Sequence, residues 1–273
     1  MLEAPYPELD DLLEMMGEAG QRLSDIEASE GAAGNVSICS REPLDVTSLF
    51  TQVQNIDLPL PAPKLAGATL LITGSGRRLR DISDEPTANL ACISVEEDGR
   101  RARMFTSPDC RFRQVTSEFN SHLAVHHDQM QRREIHLHTV LHAQPVYLTY
   151  LSHIPGYQDE RYFNTHLLRW QPETILNLPE GIGLIPFRVP SSPELMADSV
   201  ACLRTHRIAL WAKHGVIARS DVSVKRAADR VEYAETAARY EHLNLTTGEI
   251  AEGLSVEEIR AICSTFKIDQ TIF

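Results

Sequence analysis

EIHLHTVLHAQP, residues 134–145, places three histidines within seven positions: His136, His138 and His142. The path of the backbone through this stretch decides which imidazoles share a face. Side chains alternate across a strand, so an extended reading pairs His136 with His138; a helical reading pairs His138 with His142 at i, i+4. Ile135, Leu137, Thr139 and Val140 favour the strand, because such side chains suit a pleated, half-buried surface. His142 is then left beyond the pair, in the turn or helix start that follows. Two neutral imidazoles on one face can share a divalent ion, although the same spacing serves histidines hydrogen-bonded at a core margin. A third ligand must come from elsewhere, and His214 in WAKHGVIARS is the best candidate. Glycine in a strand-like run marks a bulge or close backbone approach, which can aim a side chain. Three imidazoles with an open position suit Zn2+ as a Lewis acid. The remaining histidines, His122 and His126 among them, show no comparable spacing and read as structural or surface residues.

Outward from this stretch the chain alternates between the two periodicities. LDDLLEMMGEAGQRL carries Leu9, Leu12, Leu13 and Met16 at helical spacing, which predicts an amphipathic helix. NVSICS and GATLLIT read as strands, the second ending in the turn TGSG. ANLACISVEEDG reads as another strand, closed by a hairpin at Asp98-Gly99. TSEFNSHLAVHHDQMQRR predicts a helix capped by Thr116 or Ser117. IALWAKHGVIAR reads as a strand around Gly215, and SVKRAADRVEYAETAARYEHL as a long helix. Ser255 with Glu258 forms a capping box for a last helix. DLPLPAPKLAG, residues 57–67, is an extended loop feeding a strand rather than a linker, so 1–273 is expected to form one domain. Interleaved strands and helices predict a layered α/β architecture.

Composition narrows the functional classes. A hydrophobic content of 42% supports a sizeable core, and no run approaches the ~18 apolar residues of a membrane span. The formal net charge of −12 argues against nucleic acid as the main partner. A small anionic substrate stays admissible, because a few local donors can hold a phosphate. The acidic N-terminal stretch lacks the pattern of a secretory signal. The five scattered cysteines, with no CxxC pair, read as reduced thiols of a cytoplasmic protein.

Five short motifs in order, GNVSI (34–38), TGSG (73–76), TSE (116–118), HLH (136–138) and KHG (213–215), resemble those of the class II aldolase/adducin family. LLITGSGRRLRDISDEPTANLACISVEEDG and PEGIGLIPFRVPSSPEL extend the resemblance over nearly the whole chain. It implies a three-layer α/β/α sandwich around a mixed, mostly antiparallel sheet. It also implies a homotetramer with sites at subunit interfaces and one Zn2+ per subunit. The implied activity is a lyase reaction: reversible cleavage of a ketose 1-phosphate to dihydroxyacetone phosphate and an aldehyde. L-rhamnulose 1-phosphate, giving L-lactaldehyde, is the expected substrate. The same scaffold also serves fuculose-phosphate aldolases, a methylthioribulose-1-phosphate dehydratase, pentulose-5-phosphate epimerases and the non-enzymatic adducin modules.

Residue by residue, the resemblance assigns His136, His138 and His214 to the zinc, and makes His142 a spectator. Glu118 matches the family's catalytic glutamate; Glu173 in RWQPETIL matches a second one that reaches a neighbouring subunit's site. Gly34, Asn35, Ser75, Gly76, Thr116 and Ser117 match phosphate-holding positions. Ala32 departs from the family, which has a polar donor there. Breaking the C3–C4 bond leaves carbanion character at C3, which a metal on the C2 oxygen can stabilise without a Schiff-base lysine. A carboxylate must then exchange the proton.

Overall fold

The computed structural model describes residues 4–248 and 251–273. Its nine strands are β1 (Asn35–Ser40), β2 (Gln52–Asp57), β3 (Thr69–Thr73), β4 (Leu90–Val95), β5 (Arg101–Thr106), β6 (Leu137–Ala143), β7 (Gly183–Ile185), β8 (Ile208–Trp211) and β9 (Gly215–Ser220). They form one sheet in the order β2-β5-β4-β3-β1-β6-β9-β8-β7. Only β7 and β8 run parallel; every other neighbouring pair is antiparallel. The helices are α1 (Leu9–Asp25), the short α2 (Pro86–Asn89), α3 (Phe119–Arg132), α4 (Val146–Leu151), α5 (Glu160–Leu167), α6 (Pro172–Asn177), α7 (Pro193–Cys202), α8 (Val224–Thr247) and α9 (Val256–Phe266).

The period-two alternation of the strands sorts their side chains into two cores. On one face Val36, Ile38, Leu71, Leu137 and Leu141 pack with Leu12, Met16 and Leu23 of α1 and with Ala227 and Val231 of α8. On the other, Cys39, Leu70, Ile72 and Ile93 meet Phe119, Leu123 and Met130 of α3. Val140 packs there with Val125, Leu195, Trp211 and Ile217. Helices therefore cover both faces, which makes the three-layer sandwich with a mixed, mostly antiparallel sheet. Each large aliphatic side chain buried in this way contributes roughly 1.5–3 kcal/mol. No helix among the described residues is long and apolar enough to cross a membrane. All five cysteines are free thiols.

Three local expectations need correction. First, β6 does not end before His142. Its last residues are held on both sides, with Asn35 of β1 opposite His142 and Ile217 of β9 opposite it on the other flank. Second, IALWAKHGVIAR is not one strand but the antiparallel pair β8 and β9, with Trp211 opposite Gly215. Lys213 takes a positive φ of 64° in the turn between them, and His214 N–H donates to the Trp211 carbonyl at 3.0 Å. Third, α3 is capped by Glu118, without a side-chain cap hydrogen bond, rather than by Thr116 or Ser117. The capping box at Ser255 and Glu258 is present, as is the hairpin joining β4 to β5.

Gly20 lets α1 approach the chain at Leu79. A β-carbon there would fall within contact of the Leu79 carbonyl oxygen and 2.8 Å from its carbonyl carbon. Gly20→Ala gains about 1 kcal/mol of helix propensity, but overpacking against rigid backbone costs about 1–3 kcal/mol. The expected result in urea denaturation is a net loss of stability, of order 1 kcal/mol; a gain would show that the two backbones separate freely.

Candidate active site

Antiparallel pairing brings several chain ends to one edge of the sheet. The start of β1 lies beside the ends of β3 and β6, and the start of β9 lies beside the end of β6. A cleft of about 210 Å³ opens there. Gly34 and Asn35 line it from the start of β1, and Ser75 and Gly76 from the turn after β3. Thr116, Ser117 and Glu118 approach from the start of α3, His142 from the end of β6 and His214 from the β8–β9 turn.

The rim that carries Ser75, Gly76, Thr116 and Ser117 is built as a unit. Gly74 bridges to Val115, Ser75 N–H donates to the Gln114 carbonyl at 2.8 Å, and Thr116 N–H to the Thr73 carbonyl at 2.9 Å. Gly34 and Gly76 have φ values of +85° and +70°, a region that favours glycine. Ala32 also faces the cleft, as do Arg77 and Gln144. Arg77 brings a positive charge to this turn, and its Nε donates to Asn89 Oδ1 at 2.7 Å.

The same cleft holds three potential ligands. His142 Nε2 is 3.7 Å from Glu118 Oε2, and His214 Nε2 is 3.6 Å from Glu118 Oε1. One ligand atom from each of the three side chains lies within 4.8 Å of the others. Tetrahedral bonds of ~2.1 Å place ligand atoms about 3.4 Å apart, so the residues fit a divalent ion after only small movements. His142 Nδ1 lies 2.8 Å from the Val216 carbonyl, so it carries the proton and leaves the Nε2 lone pair facing the cleft. Burial, and then His142, lower the His214 pKa to about 4 against the opposing pull of Glu118. His214 is therefore neutral near pH 7, as a ligand must be. For Glu118, burial works to raise the pKa; His142 and the hydrogen bond from Asn35, with His214 and His122 behind them, outweigh it and hold the carboxyl below its ordinary value.

Sequence reading missed the wall of this site. Trp211 lies against both imidazoles, with ring centroids 4.7 Å from His142 and 5.1 Å from His214. Its indole N–H donates to Ser199 Oγ at 2.9 Å. The close approach anticipated at Gly215 is real: a β-carbon there would meet the Ala143 carbonyl oxygen and lie 3.0 Å from His142 Cε1.

The expected ligand set of His136, His138 and His214 is not assembled. His136 precedes β6, where its exposed ring stacks on Tyr6 and its Nδ1 lies 2.5 Å from Glu42 Oε1. His138 shares a face with His142 but lies four residues away, roughly 13 Å along the strand. It is fully buried, with its Nδ1 2.8 Å from His126 Nδ1. Val140 stands between them in apolar packing, so β6 offers the cleft one imidazole, that of His142. Glu173 is exposed in the first turn of α6 and does not line this cleft.

Comparison with known proteins agrees with the architecture. The family model described as "Class II Aldolase and Adducin N-terminal domain" matches residues 14–242. The rhamnulose-1-phosphate aldolase of Listeria innocua serovar 6a is 24% identical over 95% of this chain and 94% of its own length. That of Bacteroides thetaiotaomicron is 26% identical over 88% of each. A sugar-phosphate aldolase from Thermotoga maritima superposes with a TM-score of 0.75 at 25% identity, over 89% of this chain and 98% of its own. With the matched region spanning both sides of the cleft, the chain belongs to the class II aldolase and adducin N-terminal domain family.

Proposed function

We propose that this protein is a zinc-dependent aldolase that reversibly cleaves a ketose 1-phosphate, with L-rhamnulose 1-phosphate as its substrate, to dihydroxyacetone phosphate and L-lactaldehyde. The observation that carries this reading is the union, in one cleft, of a His142–His214–Glu118 ligand set with a rim of short hydroxyls and glycines. Aldolase-type chemistry accords with the family. The choice of rhamnulose 1-phosphate is supported by relatives similar along most of the chain.

Two imidazoles and a carboxylate with an open position form a familiar catalytic zinc donor set. His142, His214 and Glu118 would hold the ion, one per subunit, and when bound it would withdraw charge from the ketose oxygens as C3 takes on carbanion character. The hydroxyls of Ser75, Thr116 and Ser117, with backbone at Gly34 and Gly76, orient the phosphate. Asn35 reaches the same space from β1, and the Arg77 charge favours an anion despite the acidic chain. Glu118 is the acid that lines the cleft; when the substrate's oxygens replace it as a ligand, it is free to deliver the proton to C3 in cleavage and to remove it in synthesis. Ala32 supplies no side-chain donor, so water or neighbouring hydroxyls complete the phosphate shell. The active form is a cytoplasmic homotetramer in which Glu173, exposed on its own subunit, serves a neighbour's cleft.

Metal content after equilibrium dialysis separates the two ligand sets. His142→Leu and His214→Ala are expected to lose most bound Zn2+, whereas His136→Ala keeps it; full zinc retention by His142→Leu would overturn the assignment. In a panel of ketose 1-phosphates, coupled detection of dihydroxyacetone phosphate should show turnover lost on chelation and restored by Zn2+, highest for rhamnulose 1-phosphate. Glu118→Gln should lower turnover by ~10²–10⁴-fold. Higher turnover of fuculose 1-phosphate would reassign the substrate, and no cleavage by zinc-loaded protein would exclude the aldolase.

A further inference from the structure

We propose that His122 is a positioning residue for Glu118, acting through Asn35 at the head of a one-directional hydrogen-bond chain that continues through Ser37, His126 and His138. The proposal rests on the reading of Glu118 as the proton-carrying carboxylate of the cleft. None of the three histidines lines the cleft, and their place in the core beneath α3 gives no sign of this link in the sequence.

The chain is continuous. Asn35 Nδ2 donates to Glu118 Oε2 at 2.9 Å, and Asn35 Oδ1 lies 2.5 Å from His122 Nε2. Ser37 Oγ is 2.6 Å from His122 Nδ1 and 2.7 Å from His126 Nε2. His126 Nδ1 is 2.8 Å from His138 Nδ1. Ser37 and the three histidines are wholly buried, and Asn35 is nearly so. His138 Nε2 ends the chain, buried and without a hydrogen-bond partner.

The inventory of donors leaves one polarity for it. A carboxylate only accepts, so the amide turns its NH2 to Glu118 and its oxygen to His122. That oxygen also only accepts, so His122 carries its proton on Nε2. Its bare Nδ1 then accepts a hydrogen bond from the Ser37 hydroxyl, and the Ser37 oxygen accepts from His126 Nε2. The bare His126 Nδ1 accepts from His138 Nδ1, which leaves His138 Nε2 as a free lone pair. This count requires three neutral rings. Burial, then His126, lower the His122 pKa to about 3 against the pull of Glu118. His126 lies well below its ordinary value through burial and then His138; His138 does so through burial, then Arg219 and Arg133.

The amide in the line cannot pass a proton on without becoming an imidic acid, so the chain conveys orientation. Without the His122 N–H, the Asn35 amide is free to turn its oxygen toward the carboxylate and push it off its position. A hydrogen bond to a charged group is typically worth about tenfold to a hundredfold in an equilibrium or rate. A purely structural Ser37–His126 contact would not need to extend to the cleft.

The test combines histidine tautomers with kinetics. Long-range proton–nitrogen NMR of the full chain labelled with 15N-histidine, at pH 7 with Zn2+, should show His122 and His126 as Nε2–H and His138 as Nδ1–H. Signals are assigned by single histidine variants. An Nε2–H tautomer at His138, or an imidazolium at any of the three, would overturn the proposal. His122→Leu should lower kcat about tenfold to a hundredfold with KM within about twofold, and His122→Gln, whose amide can donate to Asn35 Oδ1, should restore most of it. Equal losses in both variants, or a loss only in KM, would also overturn it. If His122→Leu does not fold, the tautomers of the unaltered protein still decide the matter. Absence of turnover by the parent protein would defeat the aldolase reading, while the tautomers would still judge the chain separately.

Discussion

The placement of β6 between β1 and β9 is the constraint on which the site depends. Both neighbours run antiparallel to it, so one end of the sheet collects the start of two strands and the end of a third. Asn35, His142 and the turn that carries His214 meet there although the sequence separates them widely. Hydrogen bonding on both flanks holds β6 as far as His142, and β9 carries it on to Ala143. The same pairing fixes which face of β6 looks toward α3, and so places His138 and Val140 on the side of that helix.

Much of the fold could be read directly from the chain because its signals are local. Amphipathic periodicity marks α1, and Ser255 with Glu258 marks the start of α9. Residues of GNVS, TGSG and TSE line one cleft, although Thr116 and Ser117 do not cap α3. β2 gave no such signal: its polar residues form an exposed edge strand without alternation. The histidines show the limit most clearly. The strand character of EIHLHTV was legible, but the end of the strand was not, because the pairing that carries β6 to Ala143 comes from segments far away in sequence. Spacing alone therefore favours His136 and His138 over His142, although their partners, Glu42 and His126, lie outside the cleft. Trp211 was invisible for the same reason: nothing in WAKHG says that the chain turns back over the indole.

The cleft also shows how an acidic protein can suit an anion locally. The formal charge of −12 describes the whole surface, whereas the cleft is governed by a handful of dipoles and one guanidinium at short range. Screening confines surface charges to about 10 Å at ordinary ionic strength. Glu118 is the exception within the cleft, and its charge is met there by the amide N–H of Asn35.

One indole leaning on two imidazoles has a consequence for how this sequence can change. His142 comes from the end of β6 and His214 from the β8–β9 turn, yet Trp211 lies against both, and the two imidazole centroids are 4.9 Å apart. A smaller residue at 211 frees both rings at once, and a larger one at either histidine position displaces the shared wall. Substitutions at contacting positions are not additive, so these three sites form an epistatic unit. Divergent descendants of this chain are expected to exchange the trio together or to keep it intact, while Val140 beside it drifts among aliphatic residues.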